Sequence, residues 1–323
     1  MNRIRHYFFL SWFALLIFSC TNKKEIYSVS MPSYMPPLPK NPSHNPMTTE
    51  GIELGKMLFF DTKLSKNGNI SCATCHNPKL YFTDNLQTSH LGTTGKKLPR
   101  NTPTLINVVY SENGLFLDGG IKNLESLPAA PLQHPDEMAM DLKKLPNLLQ
   151  NDKDYPNLFK NAFGTDSITN ALIFRALAQF QRTIISPSIN SEYSFVSKWD
   201  SVKQEKATFS NLELKGQSLF KSHCNTCHTA PLFSDYQFHF AHLDTITNPT
   251  KINDRVELGR QRITENPKDY LKFKTPTLRH ISKTFPYLHN GSIEKLEYFA
   301  QPNDSMKLNI EEQKALLAFL KCL

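Results

Sequence analysis

Apolar residues recur at helical spacing in two stretches of the chain. Leu172, Ala176 and Phe180 share one face of residues 168–184, and a similar apolar face runs through residues 310–323. Spacings of three and four residues predict amphipathic α-helices at both places. Sustained alternation of apolar and polar residues, which is typical of half-buried strands, is absent. The pattern therefore predicts an all-α fold class.

The segments in front of the two helices form an internal repeat. Gly55-Lys-Met-Leu-Phe and Gly216-Gln-Ser-Leu-Phe have the same pattern of glycine, polar and apolar positions. Self-similarity at this distance indicates two copies of one structural unit. We expect two domains, at residues 47–205 and 206–323.

The beginning of the chain predicts export. Arg3 and Arg5 precede a nearly apolar run over residues 7–18, which is too short to span a bilayer as a mature helix. Residues 1–19 are therefore interpreted as a signal peptide. A small residue in front of Cys20 is typical of a bacterial lipoprotein, in which that cysteine is lipidated, and an ordinary secretory signal is the alternative. We expect the protein on the periplasmic side of a bacterial membrane, held there only by the lipid.

Composition adds a linker and excludes one class of partner. Residues 20–46 are polar and proline-rich without periodicity, which predicts a flexible linker. The chain of 323 residues is 39% hydrophobic, enough to bury a core in each of two domains. Its formal charge of +8 is scattered along the chain, so the sequence does not predict binding to nucleic acid.

Cysteine spacing carries the strongest chemical signal. Cys72-Ala-Thr-Cys75-His76 and Cys224-Asn-Thr-Cys227-His228 are both C-x-x-C-H motifs. Two thiols at this spacing can bond both vinyl groups of one haem, and the adjacent histidine can bind its iron. A four-cysteine zinc site is the main alternative, but widely separated pairs that each precede a histidine are atypical of zinc. The motifs predict two c-type haems, with His76 and His228 as iron ligands.

Further segments resemble the bacterial di-haem cytochrome c peroxidases over nearly all of residues 50–323. Besides the haem motifs, the segments that carry the resemblance are Leu54-Gly-Lys-Met-Leu-Phe-Phe-Asp61, Leu64-Ser65, Arg100-Asn-Thr-Pro-Thr-Leu-Ile-Asn107, Asp118-Gly119, Pro135-Asp-Glu-Met138, Phe273-Lys-Thr-Pro-Thr-Leu-Arg279 and Phe285-Pro-Tyr-Leu-His-Asn-Gly291. Their number and order make the resemblance specific. It implies two cytochrome c-like domains, each with one covalently attached haem, and reduction of hydrogen peroxide to water.

The resemblance implies different roles for the two halves. The haem on His76 would meet peroxide, and Glu137 would be the distal acid that carries a proton from the near to the far peroxide oxygen. Without the resemblance, Glu137 would be interpreted as a solvated surface carboxylate. His90 is either a cap on the resting iron or an exposed loop histidine. The haem on His228 would be the site at which electrons enter.

Three positions depart from the family pattern. Where the family carries a second iron ligand, this chain has Asn303, and the nearest methionine, Met306, is either that ligand or a core residue. Leu117 replaces a tryptophan that commonly lies between the haems, and Leu127 replaces a glutamine that often accompanies the distal acid. Trp199 is either a substitute electron route or a packing residue.

The resemblance also implies a calcium ion between the domains. Its ligands would be the Asn101 side chain and the backbone carbonyls of Thr284 and Pro286, because oxygen ligands suit a hard cation. The implied partners are hydrogen peroxide and a small donor cytochrome or cupredoxin, and a homodimer is kept open as the assembly.

Two other functions remain open at this point. One is a di-haem enzyme that oxidises residues of a partner protein during methylamine utilisation. The other is a di-haem electron carrier without turnover, which the replacements at Leu117 and Leu127 would permit. A carrier should keep both irons six-coordinate, whereas a peroxidase must expose one.

Overall fold

The computed structural model of the protein describes residues 25–240, 258–301 and 306–323. The expected signal peptide, the lipidation site at Cys20 and the departure at Asn303 lie outside the described residues. Within these ranges, no helix combines the length and the apolar character needed to cross a membrane.

The described chain is mainly helical. Its α-helices are α1 (Thr49–Phe60), α2 (Cys72–Cys75), α3 (Ala129–Gln133), α4 (Leu145–Gln150), α5 (Tyr155–Phe163), α6 (Asn170–Gln181), α7 (Lys198–Lys203), α8 (Asn211–His223), α9 (Gln261–Thr264) and α10 (Ile310–Leu320). Short 3₁₀-helices cover Thr62–Leu64, Pro78–Leu80, Val108–Tyr110, Pro267–Asp269, Ile281–Lys283 and Leu296–Ala300. Two short strands, β1 (Phe238–Phe240) and β2 (Lys272–Lys274), pair antiparallel with Phe238 opposite Lys274.

Both predicted amphipathic helices are present, and both are shorter than the apolar pattern suggested. α6 begins after Thr169, whose side chain accepts a hydrogen bond from the amide of Leu172. α10 begins after Asn309, which forms a reciprocal capping box with Glu312. A capping side chain satisfies amides that have no partner within the helix and so defines where the helix begins.

Two helix pairs form the centres of the two halves. In the first pair, Gly55 of α1 approaches α6 so closely that a Cβ atom would overlap the Ala176 carbonyl oxygen and lie 2.9 Å from the Cβ of Phe180. In the second, Gly216 of α8 approaches α10 in the same way, and an added Cβ would lie 2.8 Å from the Cβ of Phe319. No side chain fits at either crossing, so both helix pairs depend on glycine.

An apolar cluster surrounds each helix pair. Aromatic rings are prominent in both clusters, and each of the following is at most 2% exposed: Phe59, Phe82 and Phe180 in the N-terminal half, and Phe220, Phe233 and Phe319 in the C-terminal half. Complete burial of one such ring contributes roughly 1.5–3 kcal/mol to stability. These clusters hold the loops that follow the two C-x-x-C-H motifs.

Residues 25–46 lie along the body, in contrast to the expected flexible linker. The Tyr34 hydroxyl donates a hydrogen bond of 3.0 Å to the carboxylate of Asp200. The Tyr110 hydroxyl donates one of 2.9 Å to the Pro36 carbonyl oxygen, and Met35 is only 7% exposed. Burial of scattered apolar side chains stabilises this path, although the segment has no periodic pattern that would predict it.

Candidate functional site

The first C-x-x-C-H motif forms a short helix against the N-terminal core. α2 carries Cys72 and Cys75 one turn apart, and the Ser71 amide in front of it donates a hydrogen bond of 3.0 Å to the Thr74 hydroxyl. Neither cysteine forms a disulfide. Burial raises the pKa of Cys72 to about 12, so its thiol stays protonated. Residues three positions apart share one face of a helix, and the two thiols are therefore placed to react with one planar group.

The His76 ring is held by the loop that follows α2. Its Nδ1 lies 3.1 Å from the backbone carbonyl oxygen of Phe82. A carbonyl oxygen can only accept, so Nδ1 carries the proton and Nε2 retains the lone pair that binds a metal. Burial lowers the pKa of His76, which keeps the ring neutral. His76 thus has the tautomer and the charge of an iron ligand.

His228 has the same arrangement in the C-terminal half. Cys224 closes α8, and the His228 Nδ1 lies 3.0 Å from the carbonyl oxygen of Phe233. Burial also lowers the pKa of His228. Phe82 and Phe233 both adopt a positive φ, +59° and +52°, which lets each loop turn back towards its histidine. The repeat seen in the sequence therefore extends to the orientation of both imidazole rings.

A Thr-Pro-Thr segment supports each loop from outside. The Thr104 hydroxyl donates a hydrogen bond of 2.7 Å to the Tyr81 carbonyl oxygen. The Thr277 hydroxyl donates one of 2.7 Å to the Leu232 carbonyl oxygen. Each contact ties the residue in front of the left-handed phenylalanine, so it fixes the turn that holds the histidine.

The residues at each motif fit a c-type haem. Each motif offers two free thiols and a neutral histidine whose Nδ1 is occupied by backbone. Among the described residues, no metal-binding group joins the two motifs: the cluster that does form, Cys227, Asp235 and His239, contains a single cysteine. Its Asp235 carboxylate lies 2.7 Å from the His239 Nε2, so these two groups already form a hydrogen bond with each other. The zinc alternative therefore lacks its four-thiolate site in the described part of the chain.

Glu137 lies in a turn that follows α3. The amides of Glu137 and Ala139 both donate hydrogen bonds of 3.0 Å to the His134 carbonyl oxygen. About a third of the Glu137 side chain is exposed (34%), and its Oε1 lies 3.7 Å from the His134 Nδ1. Burial raises the pKa of Glu137 above its ordinary value, and the neighbouring His134 lowers it to a smaller extent. Glu137 therefore differs from a freely solvated surface carboxylate.

Glu137 also acts electrostatically on the first motif. Burial is the main cause that raises the pKa of Cys75, and the negative charges of Asp84 and Glu137 raise it further. The carboxyl group is thus close enough to the motif for its charge to be felt there.

His90 lies in the loop between the first motif and the Thr-Pro-Thr segment, and it is exposed. Its neighbour Ser89 is completely buried, and the Ser89 hydroxyl lies 3.6 Å from the sulfur of Cys75. The loop therefore contacts the motif through Ser89, and a capping role for His90 stays a prediction.

Two of the three expected calcium ligands are in contact. The Asn101 side-chain nitrogen donates a hydrogen bond of 2.7 Å to the Pro286 carbonyl oxygen, and Thr284 lies two residues earlier on the same loop. In this orientation, the amide binds the carbonyl directly, whereas calcium would require the amide oxygen to face the ion. The calcium site stays a prediction.

Met306 and Trp199 both lie in the C-terminal apolar cluster, at 8% and 4% exposure. The Trp199 ring makes edge contacts with Tyr34 and Phe233, at centroid distances of 5.6 and 5.2 Å. Burial in this cluster accounts for both Met306 and Trp199 as packing residues. Their roles as iron ligand and electron route stay predictions.

Sequence reasoning missed Lys274, which is half-buried where the two halves meet. Its ammonium donates hydrogen bonds to the Ser111 hydroxyl and, at 2.8 Å, to the Gly114 carbonyl oxygen. Burial lowers the pKa of Lys274 to about 8. Its amide donates a hydrogen bond of 2.7 Å to the carbonyl of Leu117, the position at which the family commonly has tryptophan. A lysine beside Phe273 in the Phe273-Lys-Thr-Pro-Thr segment, which carries the family resemblance, was the signal that could have identified it.

Comparisons with known proteins agree with this geometry. The family model of the di-haem cytochrome c peroxidases matches residues 49–208. The cytochrome c551 peroxidase of Nitrosomonas europaea is 37% identical over 285 residues, which are 86% of this chain and 81% of that protein. The methylamine utilization protein MauG of Methylophilus methylotrophus is 33% identical over 87% of this chain and 84% of its own length. The crystal structure of a MauG-like protein associated with microbial copper homeostasis superimposes with a TM-score of 0.78 at 29% identity, covering 92% of this chain and 95% of that one.

Proposed function

Because this chain belongs to the di-haem cytochrome c peroxidase family, we propose that it reduces hydrogen peroxide to water with electrons from a small cytochrome or copper protein. The observation that carries the proposal is Glu137, a partly buried carboxyl group with a raised pKa beside the first C-x-x-C-H motif. An acid–base group in that place is what peroxide cleavage requires and what an electron carrier does not need.

Each half would form a cytochrome c-like domain that holds one haem. The attachment residues are Cys72, Cys75 and His76 in residues 47–205, and Cys224, Cys227 and His228 in residues 206–323. When bound, the haems supply the one-electron redox chemistry and the iron that peroxide meets. The matching Gly55 and Gly216 crossings and the matching histidine contacts support this repeat.

Glu137 would move the proton. Reduction of one peroxide molecule to two water molecules consumes two electrons and two protons. As a carboxylate, Glu137 accepts the proton of the peroxide oxygen nearer the His76 site, and as a carboxylic acid it donates that proton to the far oxygen, which leaves as water when the O–O bond breaks. The near oxygen takes up the two electrons from the donor and the two protons, and becomes the second water. A pKa that burial raises towards the working pH favours exchange in both directions.

The exported, lipid-anchored location is part of the same proposal. The basic and apolar leader and Cys20 support it. Membrane fractionation of the full chain tests it, since Cys20→Ser should release the protein from the membrane fraction, and retention of that variant would contradict the anchor.

Replacing Glu137 by glutamine tests the catalytic role. Glu137→Gln keeps the size of the side chain but cannot accept a proton, so we expect peroxidase turnover to fall by about 10²–10⁴-fold, the usual contribution of acid–base catalysis. Peroxide consumption with a reduced cytochrome is the measurement, and the haem absorbance of the variant should equal that of the wild type. Glu53→Gln, the same change at an exposed position of α1, is the matched control and should retain turnover. Unchanged turnover in Glu137→Gln would exclude it as the distal acid.

The similarity to the methylamine utilization protein MauG supports a second candidate function. In that case, electrons would come from a side chain of a partner protein and no donor cytochrome would be consumed. Stoichiometric oxidation of a reduced cytochrome by peroxide favours the first candidate. Peroxide consumption that leaves the cytochrome reduced and removes two electrons per peroxide from side chains of an added partner protein favours the second.

A further inference from the structure

A loop of residues 89–98 lies against the turn that carries Glu137. We call these residues the clasp loop, and residues 134–139 the Glu137 turn. The clasp loop is closed by a hydrogen bond of 2.8 Å from the Leu98 amide to the Ser89 carbonyl oxygen. At its base, the Ser89 hydroxyl lies 3.6 Å from the sulfur of Cys75. The loop therefore spans the distance between the first motif and the Glu137 turn.

The closest approach is at Gly92. A Cβ atom added there would overlap the Asp136 carbonyl oxygen and lie 3.0 Å from the Cα of Glu137. Contacts of this kind with backbone leave no flexible atom that could give way, so any larger residue must displace one of the two segments. Glycine at this position sets how close the Glu137 turn lies to the clasp loop.

Thr93 and Thr94 add hydrogen bonds next to this contact. The Thr93 amide donates one of 2.8 Å to the Glu137 carbonyl oxygen. The Thr93 hydroxyl donates one of 3.0 Å to the Pro135 carbonyl oxygen, and the Thr94 hydroxyl donates one of 2.8 Å to the Asp136 carboxylate. Three successive residues of the Glu137 turn are thus bound by two successive residues of the clasp loop.

The other contacts of the Glu137 turn fix its course along the chain. The Met138 amide donates a hydrogen bond of 3.2 Å to the Pro131 carbonyl oxygen, and the Met138 carbonyl oxygen accepts one of 2.9 Å from the Lys66 amide. Both bonds are made by Met138, one residue beyond Glu137 in the sequence. The clasp loop is the described segment that holds residues 135–137 themselves.

Charged groups lie on the Glu137 turn, near the first motif and on the clasp loop. His134 lies 3.7 Å away on its own turn, and Asp84 lies near the first motif with Cys75. On the clasp loop, Lys96 lies 3.6 Å from Asp136, but the lysine is exposed and the pair contributes little. Contacts of backbone and hydroxyl groups, rather than charge, therefore dominate the hold of the clasp loop on the turn.

We propose that Gly92 and Thr93 are positioning residues that set the place of the Glu137 carboxyl group relative to the first haem motif. This inference rests on the proposed function, because it concerns the residue assigned there as the acid. Acid–base catalysis depends on hydrogen-bond reach, so a small displacement of Glu137 impairs proton transfer while the haem sites stay intact.

Gly92→Ala in the protein with both haems attached tests the inference. We expect kcat/KM for hydrogen peroxide to fall about tenfold, equivalent to about 1.4 kcal/mol. The acid limb of its pH profile should move to lower pH, since a turn pushed outwards exposes Glu137 to water and relieves the burial that raises its pKa. Exchange of the Thr93 amide hydrogen should accelerate, because that amide bonds the displaced turn. The haem absorbance should not change.

Two further variants keep the test decisive. Thr93→Val removes the hydrogen bond to the Pro135 carbonyl oxygen, so kcat/KM should fall and the acid limb should move to lower pH, both less than in Gly92→Ala. Thr93→Ser keeps the hydroxyl and should have wild-type kinetics. Lys97→Ala, an exposed change on the same loop, is the control and should behave as the wild type. If Gly92→Ala does not fold, the Thr93 pair alone decides.

Each outcome separates the inference from the function on which it rests. Faster Thr93 exchange with unchanged kcat/KM and an unmoved pH profile would overturn the positioning role and leave the peroxidase proposal standing. A haem-loaded wild-type protein that does not consume peroxide would overturn the proposed function. In that case, exchange of the Thr93 amide hydrogen in Gly92→Ala still tests the contact. Faster exchange would show that the clasp loop holds the turn, and unaltered exchange would show that it does not.

Discussion

Burial sets the charge of the side chains on which the chemistry depends. It lowers the pKa of His76 and His228, which keeps both rings neutral, and it raises the pKa of Glu137, which lets the carboxyl group hold a proton at higher pH. The same cause therefore prepares two iron ligands and one acid, because removal from water always disfavours the charged form.

The pH dependence of turnover follows from Glu137. Its carboxylate form must be present to accept a proton, so kcat/KM for peroxide should rise with pH through its pKa. Since burial raises that pKa, the acid limb should lie above the range of an exposed glutamate, which is about 4.3. His134 lowers the pKa, so His134→Gln should move the limb to higher pH.

The measurement is kcat/KM for peroxide as a function of pH, for the wild type and for His134→Gln. His223→Gln, the same change at an exposed position of α8, is the control and should leave the profile in place. An acid limb that His134→Gln leaves unmoved, or moves to lower pH, would contradict the assignment of that limb to Glu137.

The residues of the haem motifs could be predicted from the sequence because they are neighbours in the chain. Cys72, Cys75 and His76 need one helical turn and one loop to meet, and the spacing alone specifies both. Glu137 was predicted only through the resemblance, since nothing local distinguishes it from a surface carboxylate. The contacts of Gly92 and Lys274 were not predicted, because their partners lie far away in the sequence.

At the scale of elements, strong apolar periodicity predicted correctly that two helices are present, but it predicted their first and last residues less well. α6 and α10 are where the apolar spacing predicts them, but capping by Thr169 and Asn309 defines their first residues. β1 and β2 have three residues each, too few for alternation to be recognised. They form because segments from different parts of the chain meet, which is information that a local pattern does not contain.

The two glycine crossings yield a prediction about stability. Gly216→Ala places a methyl group against the backbone of α10, and such overpacking typically costs about 1–3 kcal/mol. Gly55→Ala should destabilise the α1–α6 crossing to a similar extent, although alanine favours helix in isolation. The free energy of unfolding in urea is the measurement.

Glu53→Ala, at an exposed position of α1, is the matched control and should change stability little. If either glycine variant proves as stable as the wild type, the close approach of that helix pair is not what holds the half together.

At the scale of the whole molecule, residues 25–46 contact the first half directly and reach the second half through a buried ion pair. Tyr34 reaches Asp200, which in turn pairs with Arg279 in a completely buried ion pair. The Tyr110 hydroxyl donates a hydrogen bond to the Pro36 carbonyl oxygen of the same segment. A buried pair of charges needs further hydrogen bonds to be satisfied, and Tyr34 supplies one of them. The sequence predicted a flexible linker here because the contacts of residues 25–46 are made by scattered side chains, which leave no periodic pattern in the sequence.

The proposed function requires two unlike haem sites that divide the work between them. A peroxidase of this kind must leave one iron open to peroxide, whereas a carrier keeps both irons closed. The most direct test is a spectroscopic titration of the protein with both haems attached, in which one electron per molecule is added and the spin state is followed before peroxide is supplied. We expect one high-spin haem that consumes peroxide. Two low-spin haems that are inert to peroxide would contradict this expectation and leave an electron carrier.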